Sequence, residues 1–162
     1  MPKDAASTRS NILAAAVQTL QRGGVEGFTL DAVARRAGVV KGLVLYHYVS
    51  RDRLLRAAAS QIDASRSAAL ERALSSPGAA GLEACWEELR RQSEDGTTRA
   101  WLSLCAAGLV DRSAKKAEFE VAARDAIVDG SAIALATGVP LADARDAYDA
   151  LWLSLLEVTA KA

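Results

Sequence analysis

The sequence holds a single histidine and two cysteines in 162 residues. It has no His-Glu-x-x-His pair, no glycine-rich phosphate loop after a strand and no Gly-x-Ser-x-Gly elbow. The parts of a zinc hydrolase, a nucleotide-dependent enzyme and a serine acyl-transferase are therefore missing. Paired acids such as Glu87-Glu88 read as charges on a helix surface. No enzyme is expected, and no cofactor or metal. Cys85 and Cys105 fall on expected helices without metal-ligand spacing or a nearby histidine, so they read as buried, reduced thiols. No stretch approaches roughly 18 consecutive apolar residues, which excludes a membrane-spanning helix from the expectation. The N-terminus, Met-Pro-Lys-Asp-Ala-Ala-Ser-Thr-Arg, lacks the apolar centre of a signal peptide, and a cytoplasmic location is expected. Internal repeats and low-complexity linkers are also missing.

Net charge is lacking too: 20 Lys and Arg balance 20 Asp and Glu. The balance is uneven along the chain. Residues 1–60 carry nine basic and four acidic side chains, a surplus of +5, and residues 61–162 carry eleven and sixteen, a deficit of −5. A basic first third on an acidic remainder suits a chain that meets phosphates with one end. What the sequence has in quantity is apolar residues, 51% of the total, with alanine-rich runs that favour helix over strand.

The most specific stretch is Thr29 to Arg51. Thr29 is placed to cap a helix whose first turn holds Asp31, and Leu30, Val33, Ala34 and Ala37 follow at i, i+3, i+4 and i+7. Gly38 stands where that helix must stop, in a position that favours left-handed backbone. A second short helix resumes after Val39 and Val40. Two short helices about a glycine turn form a helix-turn-helix, whose second helix enters a DNA major groove.

This stretch resembles the N-terminal domain of the TetR family of bacterial transcriptional regulators, and the match extends both ways. Arg9-Ser-Asn-Ile12-Leu13-Ala-Ala15-Ala16 with Gly24 resembles the family's first helix. Phe28-Thr29, Val33-Ala34 and Ala37-Gly38-Val39 resemble its second helix and turn. Lys41-Gly42 and Tyr46-His47-Tyr48 resemble its recognition helix, and Arg51 with Leu54-Leu55 the opening of its fourth helix. The resemblance covers about residues 8–56. Two positions depart from the family pattern: Val40 stands where a capping Ser or Thr is usual, and Leu45 where a phosphate-binding tyrosine is common.

The resemblance implies an all-α fold, with a three-helix DNA-binding domain at residues 1–50 and a helical bundle for ligand binding and dimerisation at residues 51–162. The expected DNA-contact residues are Thr29, Lys41, Gly42, Leu43, Tyr46, His47 and Arg51. Leu43 either meets a thymine methyl or packs inward. His47 is either structural or a DNA contact, and the displaced phosphate contact falls to Tyr46 or His47, or is lost. Tyr48 is expected in the core. Helices are expected at about 8–23, 30–37, 41–48, 51–74, 79–94, 98–111, 114–137 and 141–160. Ser50 caps the fourth, and Ser75-Ser-Pro77-Gly78 ends it.

The last two helices carry wide apolar stripes, Phe119, Val121, Ala122, Ala126, Ile127, Gly130, Ile133 and Ala134 on one and Leu141, Ala144, Tyr148, Leu151, Trp152, Leu155 and Leu156 on the other. The resemblance implies that this pair joins its twin in a homodimer, bringing two reading heads to a palindromic double-stranded operator. It also implies a small-molecule effector that releases a repressor. Trp86, Trp101, Cys105, Tyr148 and Trp152 are either the lining of an apolar pocket for an apolar or aromatic effector, or ordinary core. The alternative reading is a helix-turn-helix-derived module that binds a ligand or protein and no longer reads DNA.

Overall fold

A computed structural model describes residues 5–110 and 119–159, and among them finds eight helices and no strand. They are α1 (Ala5–Gly23), α2 (Leu30–Ala37), α3 (Lys41–Tyr48), α4 (Arg51–Leu74), α5 (Ala79–Glu94), α6 (Thr97–Ala106), α7 (Phe119–Ala136) and α8 (Leu141–Thr159). Among the described residues, no helix is long and apolar enough to cross a membrane.

α6 ends five residues before the expected limit. Its stop is a glycine: Gly108 has φ of +67°, its N–H donates to Cys105 O, and Leu109 N donates to Leu104 O. This paired closure satisfies carbonyls that a helix end leaves without partners. The expected start of α7 at 114 lies outside the described residues.

The chain divides into two compact units, one of Met1–Ala68 with Arg99–Asp111 and one of Ala69–Thr98 with Arg112–Ala162. The first unit holds α1, α2 and α3 together with most of α4 and α6. Its core joins Ile12, Ala16 and Leu20 of α1, Phe28, Val33 of α2, Val44 and Tyr48 of α3, Leu54, Ala58 and Ile62 of α4, and Ala100, Trp101 and Leu104 of α6. Trp101 is held by its edge and its face. Its Nε1 donates to Asp63 Oδ1 at 3.2 Å, and the Arg66 guanidinium lies 3.8 Å from its ring centre, on the face where a cation is attracted.

The second unit packs Leu70 of α4, Cys85, Trp86 and Leu89 of α5, Ile127, Val128 and Ala132 of α7, and Ala144, Tyr148 and Trp152 of α8. Arg145 of α8 reaches across to Glu83 of α5 and also pairs with Asp149, while Tyr148 Oη donates to Leu82 O at 2.8 Å. The Arg145 guanidinium holds the Glu83 carboxyl below its ordinary range. The stripes expected on the last two helices are only partly buried. Ile127, Ala144, Tyr148 and Trp152 point inward, whereas Ala126, Gly130, Ile133, Leu141, Leu151 and Leu156 lie on the surface. Residues spread over such wide stripes cannot all face one neighbour, and the flanks emerge. The side chains of Phe119, Val121 and Ala122 fall outside the described residues.

Because α6 fills the first core, Leu104→Ala is expected to lower unfolding free energy by about 2–5 kcal/mol in a urea titration. Amide exchange should quicken in α1 and α4, its partners in that core.

Candidate nucleic-acid interface

The reading motif is built from local rules. Thr29 caps α2, its hydroxyl accepting from Ala32 N at 3.1 Å, with extended backbone at φ −125°. At the other end Gly38 adopts φ 66° and ψ 34°, its N–H donates to Arg35 O at 3.3 Å, and Val39 N donates to Ala34 O at 3.0 Å. That double closure needs left-handed backbone, which glycine adopts without the steric cost of a Cβ. A third bond comes from α1, where Asn11 Nδ2 donates to Ala37 O at 2.9 Å.

α3 begins at Val40, whose backbone is extended and whose side chain makes no capping bond. Lys41 Nζ instead bridges back to Asp31 Oδ2 of α2 at 2.9 Å, tying the two helices together. The C-terminus of α3 rests on α1. Arg9 Nη1 donates to His47 O at 2.7 Å, its guanidinium lies 4.4 Å from the Tyr48 ring centre, and Tyr48 Oη donates to Arg9 O at 3.1 Å. A cation at a helix C-terminus also meets the negative end of the dipole. Tyr48 is in the core, as the sequence implied, and burial pushes its phenol up from the ordinary value.

Between α3 and α4 the chain turns on Val49, at φ 65° and ψ −45°, with Ser50 N donating to Tyr48 O at 2.6 Å. Among the described residues Val49 is the only non-glycine with positive φ. This three-residue turn is rare and strained, and a β-branched side chain there is a genuine outlier. Ser50 then caps α4, its Oγ accepting from Arg53 N at 3.2 Å.

The structure brings part of the expected contact set together. Leu43, Tyr46 and His47 line a cleft of about 660 Å³ with Thr8 and Asn11 of α1 and the Ala37–Val39 turn. Tyr46 stands out into solvent, its ring edge-on to His47 at 5.2 Å between centroids. Gly42 is exposed, and a Cβ there would meet nothing within 4 Å. Leu43 is half-buried, between its two expected placements. Thr29 and Lys41 share the N-terminal end of α2 through Asp31. Arg51 is differently employed: Nε donates to Phe28 O at 3.0 Å, Nη2 to Val25 O at 3.4 Å, and the guanidinium lies 5.6 Å from the Phe28 ring centre. It fastens the loop before α2. Arg9 and Asn11 escaped the sequence reading because their partners lie 38 and 26 residues away.

Residues 12–58 match the family model for bacterial regulatory proteins of the tetR family. Over 84 residues, 52% of its length, the chain is 37% identical to the HTH-type transcriptional regulator SrpR of Pseudomonas putida, covering 37% of that protein. It is equally identical over 84 residues to TtgW, an uncharacterized HTH-type transcriptional regulator of a Pseudomonas putida strain, covering 58% of it. Over residues 12–58 the chain is similar to the TetR family of regulators. It thus matches between a third and three-fifths of the length of these curated relatives. A TetR-like transcriptional regulator from Rhodococcus sp. RHA1 shares the fold, with a TM-score of 0.60 at 22% identity over 99% of this chain and 98% of that one.

The TetR match spans every residue expected to meet DNA and none of those expected to meet an effector. The latter fall in two cores. Trp86, Tyr148 and Trp152 cluster in the second unit, with ring centroids 5.3 and 6.1 Å apart, whereas Trp101 and Cys105 pack in the first.

The two left-handed positions at either end of the α3 turn unit have opposite consequences. Gly38→Ala is expected to cost about 1–2 kcal/mol, because L side chains disfavour that backbone. Val49→Gly should leave stability unchanged or higher, since relief of strain offsets the entropy that glycine adds to the unfolded chain. Denaturant titrations of both variants check the pair.

Proposed function

We propose that the chain is a DNA-binding transcriptional regulator that occupies a palindromic operator as a homodimer, represses from it, and is released by an apolar or aromatic small molecule. The observation that carries this reading is the α2–turn–α3 unit, held at three points by α1 and presenting Tyr46 to solvent. The family match supports it, as does the +5 surplus of residues 1–60.

Dimerisation is part of the proposal, because one such domain reads few bases. Two copies on a twofold axis read half-sites roughly 34–36 Å apart. The exposed Ile133 of α7 and Leu151, Leu153 and Leu156 of α8 supply apolar surface for the partner. The effector site is proposed at Trp86, Tyr148 and Trp152. In the same unit Gln92 Oε1 and Thr98 Oγ1 are buried without a hydrogen-bond partner, which fits a ligand that brings polar groups as well as rings.

The second reading, a binding module that has lost DNA recognition, is favoured by one feature: α3 has no side-chain cap at Val40, and its first cation is spent on Asp31. Gel-shift titration with genomic fragments separates the two. A regulator protects a palindrome, with affinity falling steeply as salt rises; a binding module retards no fragment.

For the regulator, Tyr46→Ala and Lys41→Ala are expected to weaken operator binding, with the urea midpoint unchanged for Tyr46→Ala and lowered by no more than the loss of one exposed ion pair for Lys41→Ala. Unaltered affinity in both would remove them from the interface. Replacing Leu153 and Leu156 together by Glu should give monomers in sedimentation and weaken operator binding at least tenfold; a dimer that persists would place the partner surface elsewhere.

A further inference from the structure

We infer that α3 reads the major groove chiefly through the 5-methyl groups of thymines, so that each half-site is recognised by its thymines rather than its guanines. The inference rests on the regulator reading above and names the chemistry of that site.

Val44 and Tyr48 take the inner side of α3 into the core. Apart from the exposed Lys41, which is paired with Asp31, what remains outside is Gly42, Leu45 and Tyr46, with Val40 just before the helix; Val40 is 74% exposed, Leu45 37% and Tyr46 78%. Spacing of three and four residues puts Gly42 in line with Leu45 and Tyr46, so the outward surface is apolar and aromatic with an open notch. The surplus of basic residues in the first third of the chain complements phosphates, which identifies duplex DNA as the occupant of this face.

Hydrogen-bonded readout needs particular side chains: Arg or Lys on guanine O6 and N7, Asn or Gln on adenine N6 and N7. The helix Lys-Gly-Leu-Val-Leu-Tyr-His-Tyr contains no Arg, Asn or Gln. Its lysine is 2.9 Å from Asp31 Oδ2, and drawing Lys41 to a guanine would leave that carboxylate facing the phosphates alone. An apolar face set against polar base edges would strand their donors and acceptors. The thymine methyl is the one apolar group the major-groove edges offer, and apolar side chains are its natural partners.

The test starts with duplexes selected from a random pool by the full chain. Each thymine of the enriched half-site is replaced in turn by deoxyuridine, which removes only the methyl, and each guanine by 7-deazaguanine, which removes the N7 acceptor. Deoxyuridine is expected to weaken binding about fourfold at each contacted thymine, the worth of one buried methyl, and 7-deazaguanine to leave it unchanged. In Tyr46→Ala or Leu45→Ala the penalty at the matching thymine should vanish. No deoxyuridine effect, or an equal or larger effect of 7-deazaguanine, overturns thymine reading while leaving the regulator intact. Failure of any duplex to enrich overturns the regulator reading, and this inference with it.

Discussion

The left-handed corner at Gly38 governs what α3 can reach. Two residues, Val39 and Val40, separate Gly38 from the start of α3, so the direction in which α2 ends determines how the next helix leaves it. Three hydrogen bonds hold that end: Gly38 N to Arg35 O, Val39 N to Ala34 O, and Asn11 Nδ2 to Ala37 O. The first two are available to any helix with glycine in that place. The third depends on α1, so the corner is stiff only when the small domain is folded. Arg9 repeats the arrangement at the far end of α3, where it bonds the His47 carbonyl and covers the Tyr48 ring. α1 therefore acts as a splint along both short helices, neither of which is long enough to be stable alone.

What could be read from the sequence follows the range of the forces involved. The limits of α2, α3 and α5 were legible to the residue, because caps, glycine stops and apolar spacing act within one or two turns. The cap at Ser50 and the break at Pro77 and Gly78 were legible for the same reason. The end of α6 was not, although Gly108 was in plain sight, because a glycine three residues inside an apolar run reads equally as tolerated. Arg51 shows the other limit. Its place at the start of a helix near a basic motif suggested phosphate; that its Nε and Nη2 also donate to the Phe28 and Val25 carbonyls follows from contacts brought near only by folding, which no local spacing announces. Leu151 and Leu156 show a third: periodicity marks a surface as apolar without saying which molecule covers it.

Charge in the first unit works at two distances. The surplus over residues 1–60 acts on a polyanion from afar and is screened beyond about 8–10 Å at ordinary salt. At contact range much of it is already committed: Arg9 to a carbonyl and a ring, Arg36 to Thr19, Lys41 to Asp31, Arg51 to the loop before α2. Exposed ion pairs such as Lys41–Asp31 contribute about 1 kcal/mol at most. A phosphate can compete for that lysine, but only by turning Asp31 from a partner into a repulsive neighbour. In the proposed regulator, attraction and recognition are thus separated, with cations drawing the duplex in and the outward side chains of α3 left to discriminate.

On the proposed thymine reading, an apolar face makes rigidity more important than it is for a charged one. A long arginine finds a guanine edge by rotating about several bonds, whereas Leu45 and Val40 have short reach and little freedom, so the backbone must carry them to the methyl. The strain at Val49 and the splinting by Arg9 and Asn11 acquire a purpose in this light. They fix both ends of an eight-residue helix whose first turn lacks a side-chain cap. Strained backbone persists where the surrounding structure over-determines it. Here the buried Tyr48 and the Ser50 cap pin the chain on either side of Val49, leaving the end of α3 little room to shift.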